Sequence, residues 1–83
     1  MVKRGNKMLI NISVEIPNGW RINYIDLSMS PRAVFVRDSD GYNWWHSLSE
    51  QDQEMIPLYI SGFGVDMESA IKDGIKEIER LSI

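Results

Sequence analysis

The sequence predicts a small α+β domain in which an antiparallel sheet of four to five strands packs one face against a single C-terminal amphipathic helix. Three observations predict this fold class. The first two thirds of the chain contain short segments of alternating or β-branched residues, proline and glycine turns separate them, and the C-terminal segment repeats apolar residues at helical spacing. A length of 83 residues allows one domain only, which we take as 1–83.

Two strands joined by a tight turn are expected near the N-terminus. After a basic leader at 1–7, which we expect to be mobile, Met8–Ile16 carries isoleucine or valine at alternate positions. The Pro-Asn-Gly tripeptide at 17–19 is typical of a tight turn. Trp20–Ser28 then begins with alternation that changes parity after Tyr24, which indicates a β-bulge or a bend.

A second hairpin is expected in the middle of the chain. Arg32–Arg37 is rich in β-branched residues and forms the predicted third strand, and Asp40-Gly41 is a common two-residue turn. Tyr42–Ser47 would then return as the fourth strand. In this register Trp45 shares a face with the valines of the third strand, so we interpret it as a core residue.

The remaining chain is predicted to form a loop, a short strand and a helix. The acidic stretch 48–55 is expected to be a loop with one possible helical turn capped by Ser49, and Pro57–Phe63 a fifth strand. Asp66 is a good N-cap for the helix that follows. Gly74 lies within its apolar stripe, which indicates close approach to the sheet. That stripe consists of Met67, Ala70, Ile71, Gly74, Ile75, Ile78 and Leu81.

The amino-acid composition indicates in which cellular compartment the protein is expected. The chain has no cysteine, so no disulfide framework is available, and this favours a cytoplasmic location. The N-terminal segment lacks the continuous apolar region of a signal peptide, and nothing approaches the roughly 18 apolar residues needed to span a membrane. We therefore expect a cytoplasmic protein without a membrane partner.

Charge is unevenly distributed along the chain, although the net charge is only −3. Residues 1–37 contain six basic and two acidic residues, whereas 38–83 contain three basic and ten acidic ones. An acidic surface repels phosphate backbones and attracts basic protein surfaces. The second half of the chain therefore favours a protein partner over a nucleic acid.

No residue set typical of an enzyme is present. A nucleophilic mechanism requires a base beside a serine or cysteine, and His46 is the single histidine. Asp38 and Asp40 are better explained by turn formation than by acid–base chemistry. A calcium loop with Gly41 at its glycine position would have Ser47 where glutamate is required. We expect a non-enzymatic protein with no catalytic residue, no cofactor and no metal.

Two segments match a known family pattern. One is Ala-Val-Phe at 33–35 leading to Asp-Ser-Asp-Gly-Tyr at 38–42, and the other is Gly64 followed by Met-Glu-Ser-Ala-Ile at 67–71. Through these segments, residues 33–81 resemble the N-terminal domain of HicB-type antitoxins. The resemblance implies a small sheet with one packed helix, usually dimeric, that neutralises a partner by direct contact. The rings at 44–46 and the acidic stretch replace the family's proline-containing connection.

The sequence thus predicts a small acidic protein-interaction module, an inhibitor or antitoxin-like protein of phage or mobile-element type. One helix covers only one face of a small sheet, so aromatic rings elsewhere must meet a protein partner, a second copy in a homodimer, or solvent. The predicted partner-binding residues are Arg37, Tyr42, Trp44, His46, Glu50, Asp52 and Glu54.

The alternative is an RNA or single-stranded DNA binding protein. Its basic residues would track phosphates while rings on a sheet face stack on bases. The negative net charge makes nucleic acid the second choice. The residues predicted for this alternative are Lys3, Arg4, Lys7 and Arg21.

Overall fold

The computed structural model describes residues 14–81 and contains three strands and three helices in that range. The fold is α+β with an antiparallel sheet and a C-terminal helix, as predicted, but the sheet has three strands within the described residues, in the order β1-β2-β3. The prediction of four to five strands is not supported. The elements are β1 (Trp20–Asp26), β2 (Arg32–Arg37), α1 (Ser39–His46), α2 (Glu50–Met55), β3 (Tyr59–Phe63) and α3 (Met67–Leu81).

The first predicted strand cannot be compared in full. Residues 1–13, which include the basic leader and most of Met8–Ile16, lie outside the described residues. Residues 14–16 have no regular secondary structure, although Val14 and Ile16 pack against the core. The predicted turn at 17–19 is confirmed, since the Trp20 amide donates to the Pro17 carbonyl at 3.2 Å.

The predicted irregularity in β1 is confirmed. The pairing with β2 shifts register between Ile22 and Tyr24. Because a bulge reverses the alternation, Ile22 and Ile25 can both pack against the core. The strand ends at Asp26, before the predicted Ser28, because the Asp26 carboxylate accepts hydrogen bonds from the Ser28 amide at 2.9 Å and hydroxyl at 2.6 Å, a local turn.

Helix α3 packs closely on one face of the sheet. Asp66 caps its first turn, as predicted, by accepting from the Ser69 amide at 2.8 Å. A Cβ atom on Gly74 would overlap Cε1 of Phe35 and lie 2.8 Å from its Cδ1, and one on Gly62 would lie 2.6 Å from the Gly74 Cα. The predicted close approach is therefore confirmed. The buried core consists of Trp20, Ala33, Phe35, Ile60, Ala70, Ile71, Ile75 and Ile78.

The predicted fourth strand, Tyr42–Ser47, is wrong because this segment is helical. Asp38 has an extended backbone and accepts a 2.8 Å hydrogen bond from the Gly41 amide, which is N-cap geometry. A Cβ atom on Gly41 would overlap the Gly19 carbonyl oxygen. Glycine is thus required at 41 for contact between α1 and the 17–19 turn, and no hairpin turn forms there.

The assignment of Trp45 to the core is also wrong. Trp45 is only partly buried, and Trp20, at 7% exposure, is the core tryptophan. The Trp45 indole instead donates a 2.6 Å hydrogen bond to the Ile56 carbonyl, which ties α1 to the segment after α2. The expected helical turn after Ser49 is confirmed as α2, with the Asp52 amide donating to the Ser49 hydroxyl at 3.2 Å.

Candidate functional site

The face of the sheet opposite α3 carries several exposed aromatic side chains. Ala33 and Phe35 of β2 belong to the core under α3, so the alternate residues Val34 and Val36 point to the other side. On β3, Ile60 and Gly62 face α3 in the same way. We define the open face as Arg21, Tyr24, Arg32, Val34, Val36, Tyr59, Ser61 and Phe63.

Three aromatic rings of the open face are half-exposed. Tyr24 is 47% exposed, Tyr59 55% and Phe63 57%. Val34 pairs with Tyr24 on β1 and with Ser61 on β3, so it lies in the middle strand between the rings. Val34 itself is only 6% exposed. The result is an apolar centre flanked by rings.

The charged groups of the open face are mainly cationic. Arg32 is held in place, since its Nη2 donates to the Tyr24 hydroxyl at 3.3 Å and lies 3.6 Å from Asp26 Oδ2. The pKa of Asp26 is lowered, first by the Ser28 hydroxyl hydrogen bond and least by Arg32. Arg21 forms no ion pair with another residue in 14–81. The face therefore carries one uncompensated cation.

Helix α1 borders one end of the open face. Tyr42 lines a cavity of about 270 Å³ together with Arg21, Val36 and Tyr59. His46 follows Tyr42 by one helical turn, and its ring stacks on the Tyr42 ring with the two centroids 5.6 Å apart. Of the predicted partner-binding residues, Tyr42 thus extends the open face, with His46 packed behind it.

Arg37 and Trp44 are brought together on the α3 side of the sheet. The Arg37 guanidinium lies 4.0 Å from the Trp20 ring centroid and 5.3 Å from that of Trp44. Its Nε and Nη2 both donate to the Pro57 carbonyl, at 3.2 Å and 3.1 Å. Partial burial lowers the pKa of Arg37 from its ordinary value. Arg37 also lines the cavity beside Tyr42, so this side chain lies between the Trp20–Trp44 cluster and the α1 end of the open face.

The predicted acidic contacts Glu50, Asp52 and Glu54 are exposed on α2. The Gln53 amide links α2 to α1 by donating to the carbonyls of Trp45 at 3.1 Å and His46 at 3.3 Å. The three carboxylates do not line the cavity beside Tyr42. They also do not line the cavity that Trp44 forms with Trp20 and Arg37. The structure therefore does not assemble the acidic and aromatic residues into one site.

Of the four residues predicted for nucleic-acid binding, one lies within the described residues and three do not. Arg21 lies on the open face, beside Tyr59 and Val36. Lys3, Arg4 and Lys7 lie outside the described residues. The open face therefore provides the aromatic part of such a site with Arg21 beside it.

Three of the open-face residues were missed by the sequence reasoning. Tyr59 and Phe63 alternate with the α3-facing residues of β3, whereas Tyr24 reaches the open face only because of the bulge between Ile22 and Tyr24. The signal was present in the segment Pro57–Phe63, where Ile60 and Gly62 alternate with the two rings. The hairpin predicted at 40–41 instead favoured Tyr42, Trp44 and His46 as the exposed rings.

The described part of the chain has neither a candidate metal site nor a helix that could cross a membrane. Between residues 14 and 81 there is no group of three or more histidine, cysteine, aspartate or glutamate side chains that could hold a metal ion. In the same range no helix has the length and apolar character needed to cross a membrane.

Comparison of the chain with protein-family models, with curated proteins and with solved structures found no match. The likeness to HicB-type antitoxins accordingly stays a prediction.

Proposed function

We propose that this protein is a non-enzymatic interaction module that binds another protein through the open face of its sheet. One observation carries the proposal. A three-stranded sheet with α3 on one side leaves Tyr24, Tyr59 and Phe63 about half-exposed around an apolar centre on the other side. Contiguous exposed apolar surface of this kind marks interaction sites in single-domain proteins.

The three rings offer apolar area that a partner could bury. A tyrosine or phenylalanine buries roughly 150–250 Å² in an interface, so half-exposed rings have roughly 100 Å² each to bury. At about 25 cal/mol per Å², each ring contributes about 2–3 kcal/mol before the costs of association. Aromatic residues and arginine are also the types that dominate interface energetics, and Arg21 lines the same cavity as Tyr59.

An inhibitor or antitoxin-like protein of phage or mobile-element type fits this arrangement, because such a protein acts by occupying its target and needs no catalytic group. Tyr42 continues the surface at the α1 end. A flat sheet face also suits a second copy of the chain, and a homodimer formed through it would then be the binding unit.

RNA or single-stranded DNA binding is the second candidate, and one observation favours it. Two arginines, Arg21 and Arg32, share the open face with the three rings, which is the combination of cations and stacking platforms that single-stranded nucleic acids require. Affinity for oligonucleotides would then fall steeply as salt concentration rises.

The test compares Tyr59→Asp with a matched control, Met55→Asp. Both residues are exposed apolar side chains, Tyr59 at 55% on the open face and Met55 at 76% on α2. Each tagged variant and the parent protein are incubated with host extract, and recovered proteins are quantified by mass spectrometry after circular dichroism has verified folding. We expect Tyr59→Asp to recover at least roughly 30-fold less partner, the equivalent of about 2 kcal/mol, while Met55→Asp recovers it normally.

Other outcomes separate the competing ideas. Unchanged recovery with Tyr59→Asp, combined with loss in Trp44→Ala or in a triple Glu50, Asp52 and Glu54 to glutamine variant, would move the interface to α1 and α2. Sedimentation shows whether the open face binds a second copy, because Tyr59→Asp would then convert a dimer to a monomer. A salt-sensitive oligonucleotide titration that Arg21→Glu abolishes would favour the nucleic-acid function.

A further inference from the structure

A second cavity lies on the other side of the molecule from the open face. It has a volume of about 530 Å³, within the roughly 300–1,000 Å³ typical of small-molecule sites. Buried Trp20 and Ile78, at 7% and 1% exposure, form its floor. Exposed Trp44 and Leu81, at 50% and 49%, lie at its rim. The cavity is therefore open to solvent at one side and apolar at its base.

Among residues 14–81, Arg37 is the only charged residue that lines this cavity. It forms no ion pair with any residue between 14 and 81, and its hydrogen bonds to the neutral Pro57 carbonyl use only Nε and Nη2. Guanidinium groups have five N–H donors, so Nη1 still has donors to offer. A partly buried cation between two tryptophan rings is thus compensated neither by a carboxylate nor by full hydration.

We propose that this cavity binds a small monocarboxylate with an apolar body. The carboxylate would accept hydrogen bonds from the free donors of Arg37, which suits the fork geometry of a guanidinium group. The apolar body would lie against Trp20, Trp44 and Ile78, since the other described residues that line the cavity are Met55, Ile56, Pro57 and Leu81. Charge complementarity selects an anion, and the apolar lining selects a molecule with one anionic group and no second polar end.

This inference does not rest on protein binding by the open face. Arg37 pairs with Trp20, whose side chain belongs to the core under α3, so the cavity is on the α3 side of the sheet. Tyr59 lines a small cavity together with Arg37, so Phe63→Asp, at the other end of β3, is the open-face variant that we expect to leave carboxylate binding unchanged. Failure of one proposal would therefore not be mistaken for failure of the other.

The probe is 3-phenylpropionate, and its neutral amide is the matched control ligand. Binding is followed by tryptophan fluorescence and by the indole N–H signals in two-dimensional NMR, in low-salt buffer at neutral pH. We expect saturable binding of the acid that perturbs the Trp20 and Trp44 signals, with at least roughly tenfold weaker binding of the amide. Equal affinities for the two ligands, or no saturation by 3-phenylpropionate below about 10 mM, would overturn the proposal.

Two variants test the role of charge. Arg37→Gln should reduce affinity for the acid to that for the amide without changing the latter. Arg37 also stacks on Trp20, so Arg37→Gln could fail to fold, and a second variant is needed. Leu81→Glu places a negative charge at the exposed rim of the cavity. It should lower the affinity for the acid at least roughly fivefold at low salt, while the affinity for the amide stays the same. Retention of full preference for the acid in a folded variant of either kind would contradict the proposal.

Discussion

Alanine at position 74 is expected to destabilise the protein, although alanine is the better helix former. Gly74 lies in α3 directly over the fully buried ring of Phe35. An added Cβ would overlap Cε1 of that ring and lie 2.8 Å from Cδ1, so the ring would have to move by roughly 1 Å to reach a normal carbon contact. The ring is enclosed by the core and cannot move without displacing α3 or its neighbours.

The magnitude follows from two opposing terms. Overpacking a core by one methyl group costs about 1–3 kcal/mol, and this overlap belongs at the upper end. Replacing an interior helical glycine by alanine gains about 1 kcal/mol in helix propensity. The net expectation is a loss of about 2 kcal/mol in the free energy of unfolding. For a domain of this size that corresponds to a melting temperature lower by roughly 8–16 °C.

The assay is urea unfolding followed by circular dichroism. Lys76→Ala, at an exposed position in the same helix, is the control and should change stability by less than about 0.5 kcal/mol. In a double-mutant cycle, Phe35→Leu removes the obstructing ring atoms, so Gly74→Ala should cost less in that background. An increase in stability of about 1 kcal/mol in Gly74→Ala alone would show that propensity dominates, and would refute the close packing of α3 on the sheet.

Two further predictions concern the helix caps. Asp38→Ala should lower the free energy of unfolding, measured in urea, by about 1 kcal/mol because it removes the acceptor of the Gly41 amide hydrogen bond. Ser39→Ala, the control, should leave it nearly unchanged, and equal effects of the two variants would contradict the capped helix α1. The Ser69 amide hydrogen bond lowers the pKa of the Asp66 carboxyl. The stabilisation that the ionised Asp66 carboxylate gives the folded protein is therefore complete above the ordinary aspartate pKa of about 4, and it is lost as pH falls through the lowered folded-state pKa. Between pH 5 and pH 2, the melting temperature should therefore fall less steeply in Asp66→Asn than in the parent protein. Identical pH profiles would rule out this role for Asp66.

The helix α3 and strand β2 were predictable because each has one dominant local signal. Asp66 begins an unbroken apolar stripe at helical spacing, and the observed helix has the bounds that the stripe suggests. Arg32–Arg37 lies between turn-forming residues and is rich in valine and aromatic side chains. No tertiary contact had to be known in advance for either element.

The error at Tyr42–Ser47 has a specific physical origin. Asp40-Gly41 satisfies the chemistry of a hairpin turn, yet the segment also contains an N-cap residue at Asp38 and rings at three- and four-residue spacing. The deciding contact is the approach of Gly41 to the Gly19 carbonyl, which is long-range and invisible in the local sequence. Local rules therefore allowed two structures, and packing against the 17–19 turn is consistent with only one.

The candidate site was predictable in principle but not in detail. A single helix packed on a small sheet leaves the other face of the sheet without a covering helix, whichever rings occupy that face. Their identity depended on the number of strands and on which residues pair with β2. Tyr24 and Tyr59 could be assigned to the open face only once the register of β1 and β3 was known.

The most direct test of binding through the open face is oxidative footprinting of the protein alone and in complex with its recovered partner. Tyr24, Tyr59 and Phe63 are half-exposed in the free protein and should be modified readily. We expect all three to become protected in the complex, while exposed Met55 and Trp44 are modified at the same rate as before. Protection of Trp44 with no change at the three open-face rings would contradict the proposed binding surface.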